Sequence, residues 1–316
     1  MGYHYVLQSA WHWPIAIYLF LGGLGAGVTA LAVYLSRGKA ESNKMKAYSV
    51  LTGMVFVGVG AIILVLDLLQ PFESWRILVP WAPLLAPKSW IAWGTQIINL
   101  YFLFSLLSIL PALKDTPLAF IAKIIPLAGL VEKKQKFFDY GVYLFGFGVA
   151  FYTGILLASS AGVGLWHTPM LPFLFSVSGF STGAALLMIL WALSKEENRV
   201  KALHSLEKID FGLIVVELSM VVFIGYYFLT FTGNSAARYS INFLTNNTIF
   251  MALFFIGGLV IPFVLEFISI QASKKDHTKA PNIAIILLAS ILVLIGGYML
   301  RAYMLHAGFL QIPNIM

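Results

Sequence analysis

Apolar residues run along this chain in stretches too long for the core of a water-soluble domain, separated by short polar breaks. Eight such stretches can be drawn, at about 11–35, 47–69, 89–110, 138–158, 173–194, 209–231, 247–271 and 282–303. Each is about 20 residues or slightly more. A helix rising roughly 1.5 Å per residue crosses a hydrocarbon core of about 30 Å in that length. The runs are continuous rather than alternating, which predicts helices and excludes a barrel. The pattern therefore predicts an all-α integral membrane protein, with eight transmembrane helices in two four-helix bundles and one membrane domain over residues 1–316.

The first stretch is the one the others are expected to pack around. WHWPIAIYLFLGGLGAGVTALAVY at 11–34 contains no charge. Gly22, Gly23, Gly25 and Gly27, with Ala26 and Ala30, leave one side almost bare of side chains. Gly23 and Gly27 form a GxxxG pair, the spacing that lets a second helix approach backbone to backbone in lipid.

Composition agrees with the membrane class. Hydrophobic residues are 60% of the 316 and charged residues 10%, against roughly 25% charged in soluble domains. With no cysteine, the chain itself excludes a disulfide, a cysteine-ligated iron–sulfur cluster and a thiolate zinc site. The net charge of +7 would suggest nucleic acid in a soluble protein, but here the charges lie between apolar spans and report topology, so no nucleic-acid partner is expected. Loops after helices one, three, five and seven hold 16 of the 20 basic residues, from Arg37 to Lys279, and the other face holds only Arg76, Lys88, Arg238 and Arg301. That asymmetry predicts a multi-pass protein of the plasma membrane with the basic loops in the cytoplasm and both termini outside. The opening MGYHYVLQSAWHW has no basic n-region and no small-residue cleavage site, so no signal peptide is expected.

The two faces also differ in character. Outer segments are aromatic and proline-rich, QPFESWRILVPWAPLLAPKSW at 70–90 and SSAGVGLWHTPMLP at 159–172, and seven of the 8 Trp fall on or near this face. Aromatic belts form at both interfaces, so the one-sidedness predicts an outer docking or ligand surface.

Ionisable groups inside spans are costly and mark function by default. Three are legible: Asp67, Glu217 and Glu266. Glu266, about one turn from the inner end of helix seven, is expected to reach water and serve structure. Glu217, about two turns into helix six, fits either a neutral hydrogen-bonded structural group or a proton relay. Asp67 is expected to pair with an outer cation, Arg76 or Arg301. Among the histidines, His204 and His277 fall in cytoplasmic loops, His4 precedes the first span, and His12, His167 and His306 lie near the outer face. A b-type haem needs two histidines on facing helices within the apolar zone. Only a forced pairing of His12 with His306 could supply them, so neither haem nor another metal site is expected.

The remaining polar set gathers at one level. Tyr18, Tyr152, Thr153, Trp166, His167 and Thr168 sit at or near the outer ends of helices one, four and five, with Asp67 and Arg301 at that depth. Aromatic walls with a few hydrogen-bond donors suit a flat lipophilic molecule with two carbonyl oxygens, the shape of a quinone. The same tyrosines and tryptophans also read as interfacial anchors.

Four segments together resemble the NrfD/polysulfide reductase membrane-subunit family: WPIAIYLFLGGLGAG at 13–27, LDLLQPFESWRIL at 66–78, YTGILLASSAGVGLWHTPMLPFLFSVSGFSTGAAL at 152–186, and LRAYMLHAG at 300–308. The resemblance implies the quinone-reactive anchor of a three-subunit respiratory oxidoreductase, working in electron transport and anaerobic respiration. Its implied partners are a ferredoxin-like iron–sulfur subunit and a catalytic molybdopterin subunit holding molybdenum or tungsten, both docked on the outer face. The implied ligand is a menaquinone-type quinol near that face, with iron–sulfur clusters and pterin confined to the partners. Position by position, Tyr152 matches a quinone-contacting tyrosine, and Ile15 and Tyr18 stand where a relative has Asn and His. His12 is a candidate proton acceptor, Asp67 and Arg301 match charged positions that shape the site, and Trp166 and Thr168 match the loop pattern. Two other functions remain open at this point: a transporter module moving ions or protons along Glu217 and Glu266, and a passive anchor for a catalytic partner.

Overall fold

The computed structural model describes residues 3–9, 11–37, 43–67, 71–120, 128–160, 162–275 and 282–313. Among them are eight helices long and apolar enough to cross a membrane: α1 (Trp13–Arg37), α2 (Asn43–Leu66), α3 (Trp90–Ile109), α4 (Gln135–Ala158), α5 (Met170–Leu193), α6 (Arg199–Thr230), α7 (Thr248–Ala272) and α8 (Ile283–His306). The eight-span all-α expectation holds. The expected end of the second span at residue 69 falls outside the described residues.

Helix α1 is the central element because its small side chains let neighbours in. A Cβ added at Gly27 would strike the backbone of Gly179, and one at Gly183 would strike Gly27. On the α2 side, a Cβ at Gly25 would strike the carbonyl of Gly53. The GxxxG pair Gly23–Gly27 thus meshes with a second one, Gly179–Gly183 on α5, giving the backbone-to-backbone contact that drives helix association in lipid. Helices α1–α4 form one bundle and α5–α8 the other, and the glycine seam between α1 and α5 joins them.

Three features depart from the pattern-based expectation. Helix α6 starts at Arg199, ten residues before 209, because RVKALHSLEK is rich in good helix formers whose charges hide the continuation from a hydrophobicity count. Helix α7 carries π-helical turns over Met251–Val260, an irregularity often found at functional positions. Two short strands, β1 (Tyr3–Leu7) and β2 (Phe309–Pro313), pair antiparallel from Tyr3↔Pro313 to Leu7↔Phe309. At five residues each they are too short to stand out in the sequence. They tie both chain ends to one side of the bundle, here called the termini face. The amphipathic helix Ser235–Asn246 joins them there, with Tyr239 stacked on Tyr5 at 4.7 Å and edge-on to Phe309 at 4.9 Å.

Candidate functional site

Helix α1 brings Tyr18 under the termini face, where a whole side of the first bundle closes over it. Tyr18 is 1% exposed and Tyr152, from α4, 2%. The Tyr152 ring fills the space left by Gly94 of α3, where any Cβ would strike it, and Tyr18 packs beside Gly60 of α2. The two phenols interact with each other, and the Tyr18 hydroxyl reaches no partner with full hydrogen-bond geometry. A buried hydroxyl without a full hydrogen bond loses hydration that is not fully returned, a cost of about 1–3 kcal/mol. A hydroxyl short of a full hydrogen bond beside a second phenol, set within the apolar core, suits a ligand with a carbonyl or hydroxyl oxygen on an apolar ring.

The other residues expected at this level are not brought to that pair. Trp166 is buried, but its indole N–H donates to the Met304 carbonyl at 2.7 Å and its ring packs against Trp11 at 6.0 Å. It fastens the α4–α5 loop to α8 and has no donor left for a ligand. Thr168 accepts from the Met170 backbone N–H at 3.4 Å, at the start of α5. His12 is exposed and lines a different cavity, together with His306.

The expected clamp between Asp67 and an outer arginine is absent. Asp67 is exposed at the end of α2, and Arg76 pairs instead with Glu73 at 2.8 Å on the surface. Arg301 is fully buried on α8. Its guanidinium donates to the Ser178 hydroxyl at 2.7 Å, the Gly297 carbonyl at 2.7 Å and the Phe175 carbonyl at 3.1 Å. It also lies 3.3 Å from the position a Cβ on Gly23 would take. Its electrostatic partner is Glu217, 3% exposed on α6.

Glu266 corrects a second expectation: it does not reach water. It is 2% exposed, with both carboxyl oxygens buried, and it interacts with Asp210 of α6. Asp210 in turn accepts from the Ser181 hydroxyl at 2.6 Å. Below it, Glu207 accepts from the Ser269 hydroxyl at 2.7 Å and lies 3.7 Å from His204. A buried polar row therefore runs through the second bundle from His204 past Glu207, Asp210, Glu266 and Glu217 to Arg301. Along α6 it spans residues 207 to 217, about 15 Å at the helical rise.

Sequence reasoning missed Glu207 and Asp210, and the spacing could have found them. Positions 207, 210 and 217 share one helix face at steps of three and seven, as do Ser178 and Ser181 on α5 and Glu266 and Ser269 on α7. A further missed group sits at the opposite end of the first bundle. Asp139 is ringed by Lys46 at 3.1 Å, Ser108 at 2.7 Å, Gln135 at 2.8 Å and Arg37 at 3.8 Å. Among the described residues, no three His, Asp or Glu side chains gather in a way that could hold a metal ion.

Comparison with known proteins matches residues 5–313 to the family model described as polysulphide reductase, NrfD. The sequence is 30% identical over 318 residues to the C subunit of the polysulfide reductase of Wolinella succinogenes, covering 94% of each protein. It is 27% identical to the NrfD homolog of Haemophilus influenzae, covering 96% of this protein and 95% of that one. With protein NrfD of Escherichia coli the identity is 26%, covering 96% of both.

Proposed function

Because the chain belongs to the polysulphide reductase NrfD family, we propose that it anchors a redox complex in the membrane and exchanges electrons between quinones and an iron–sulfur partner. The observation that carries this reading is the fully buried phenol pair Tyr18–Tyr152. A quinone bound there would supply a two-electron, two-proton couple. The phenols would hold its oxygen by hydrogen bonds, and the surrounding apolar core would exclude water from the ring. This cysteine-free protein would leave the storage of electrons to partners.

Those partners would be a ferredoxin-like iron–sulfur subunit and a molybdopterin subunit. The relative in Wolinella succinogenes is by name one component of a polysulfide reductase. The docking surface would be the aromatic segment between α2 and α3, where Phe72 is 95% exposed and Trp75 and Trp81 more than half exposed. It would face outward with both termini, since the basic loops lie on the opposite side.

The test is Tyr152→Phe in the intact complex. Losing the phenol hydroxyl lowers quinol turnover on the order of tenfold while the amount of assembled complex stays the same. Unchanged turnover would place the headgroup elsewhere.

A second reading is supported by the buried row from His204 to Arg301: protons cross the second bundle as the redox reaction proceeds. Serine hydroxyls between the acids, Ser269 and Ser181, can relay a proton by rotating. In sealed vesicles, Glu217→Gln should lower proton uptake per electron transferred. Equal uptake in variant and parent would remove this reading and leave the quinone site untouched.

A further inference from the structure

A cavity of about 260 Å³ lies on the termini face between the start of α1 and the end of α8. It is separate from the tyrosine pair. Ala16 lines it, and Tyr18, two residues on, points about 200° round the helix at roughly 100° per residue. The cavity is elongated along α8, since His306 and Tyr298 both line it and eight residues of helix separate them by about 12 Å. One end thus sits at the membrane surface beside two imidazoles, His12 and His306, and the other descends into the span.

Its walls are fixed in advance. The Gln8 side chain donates to the Trp11 carbonyl at 2.8 Å and the Leu305 carbonyl at 3.4 Å, and accepts from the Trp11 backbone N–H at 2.8 Å. One amide therefore ties the segment before α1 to the end of α8. Trp11, Trp13 and Tyr298 line the cavity, and among the described residues no Asp, Glu, Lys or Arg does. That lining disfavours an ion and favours a neutral aromatic ring.

The tautomer of His306 adds direction. Its Nδ1 lies 3.0 Å from the Ala302 carbonyl oxygen, which can only accept, so in the neutral ring Nδ1 carries the hydrogen and Nε2 offers a lone pair. Nε2 can accept from a hydroxyl on the ligand.

We propose that this cavity is a second binding site, for a hydroxylated aromatic headgroup on a lipophilic tail, the class that includes hydroquinones. The headgroup hydroxyl donates to His306 Nε2, the ring lies between the indoles and Tyr298, and the tail follows the cavity down α8. Assigning the ligand to the quinone class rests on the function proposed above; the shape and polarity of the cavity do not.

The test is an anaerobic titration of the intact complex in lipid nanodiscs with an alkylated naphthohydroquinone, kept reduced and without an electron acceptor, reading bound ligand per complex and tryptophan quenching. Two sites are expected. His306→Leu weakens one of them roughly tenfold and leaves the other, and Ala302→Trp, which fills the cavity, abolishes the same one. Tyr152→Phe weakens only the other. If both cavity variants bind like the parent while Tyr152→Phe weakens binding, the second site is overturned and the tyrosine site stands. If the cavity variants alone weaken binding, the cavity stands and the tyrosine site falls. No binding to the parent overturns both.

Discussion

Asp139 is the residue whose loss should be felt most at the loop face. It is buried with the Lys46 ammonium at 3.1 Å, and Ser108 and Gln135 satisfy the rest of the same carboxyl oxygen. Asp139→Asn keeps the shape but leaves the Lys46 charge, 5% exposed, with no anion as close. Breaking a buried pair in this way costs about 3–5 kcal/mol. Melting followed in detergent should show a clear loss for the single variant and a large recovery when Lys46→Met is added, because the unpaired buried charge is then gone. An unshifted melt for Asp139→Asn would mean that the Ser108 and Gln135 hydrogen bonds hold this end alone. Arg301 obeys the same logic in the last quarter of α8. It is fully buried and answers to Glu217, so Arg301→Met should destabilise strongly and Arg301→Met with Glu217→Gln should recover part of the loss.

Between elements, the decisive contact is the glycine seam. Gly27→Ala places a methyl into the backbone of Gly179 and should separate α1 from α5, lowering the yield of folded protein in size-exclusion profiles. Gly212→Ala is the matched control on α6. Nothing lies within 4 Å of its Cβ position, so the change should be neutral or stabilise by up to about 1 kcal/mol. Equal loss from both would mean that the close approach at Gly27 is not what decides. This seam was legible in the sequence because GxxxG has a mechanical meaning in lipid, and the eight spans were legible because length alone defines them. The π-helical turns of α7 and the early start of α6 were not. Both depend on packing between helices, which no window of hydrophobicity contains. The site was legible in part for the same reason. Tyr18 and Tyr152 could be named as polar groups at one depth, but Trp166 and Arg301 find their partners on other helices, Met304 and Ser178, at sequence distances where spacing gives no guide.

For the molecule as a whole, the paired strands β1 and β2 put both termini on one side, and the basic loops on the other side predict which side faces out. The absence of cysteine makes the check clean. A single Gln311→Cys should react with a membrane-impermeant maleimide on intact cells, and a single Lys195→Cys should react only after the membrane is opened. The reverse pattern would put the aromatic surface in the cytoplasm, along with any partner docked there. If this protein links quinones to clusters held by another subunit, electrons should pass from those clusters to an added quinone. That transfer is tested most directly on the complex purified in mild detergent, with its iron–sulfur clusters reduced by dithionite and a naphthoquinone then added anaerobically while the clusters are followed by electron paramagnetic resonance. Prompt reoxidation is expected in the parent and much slower reoxidation in the Tyr18→Phe, Tyr152→Phe double variant at the same iron content. Equally fast reoxidation in both, or a protein that purifies alone and without iron, would contradict that link.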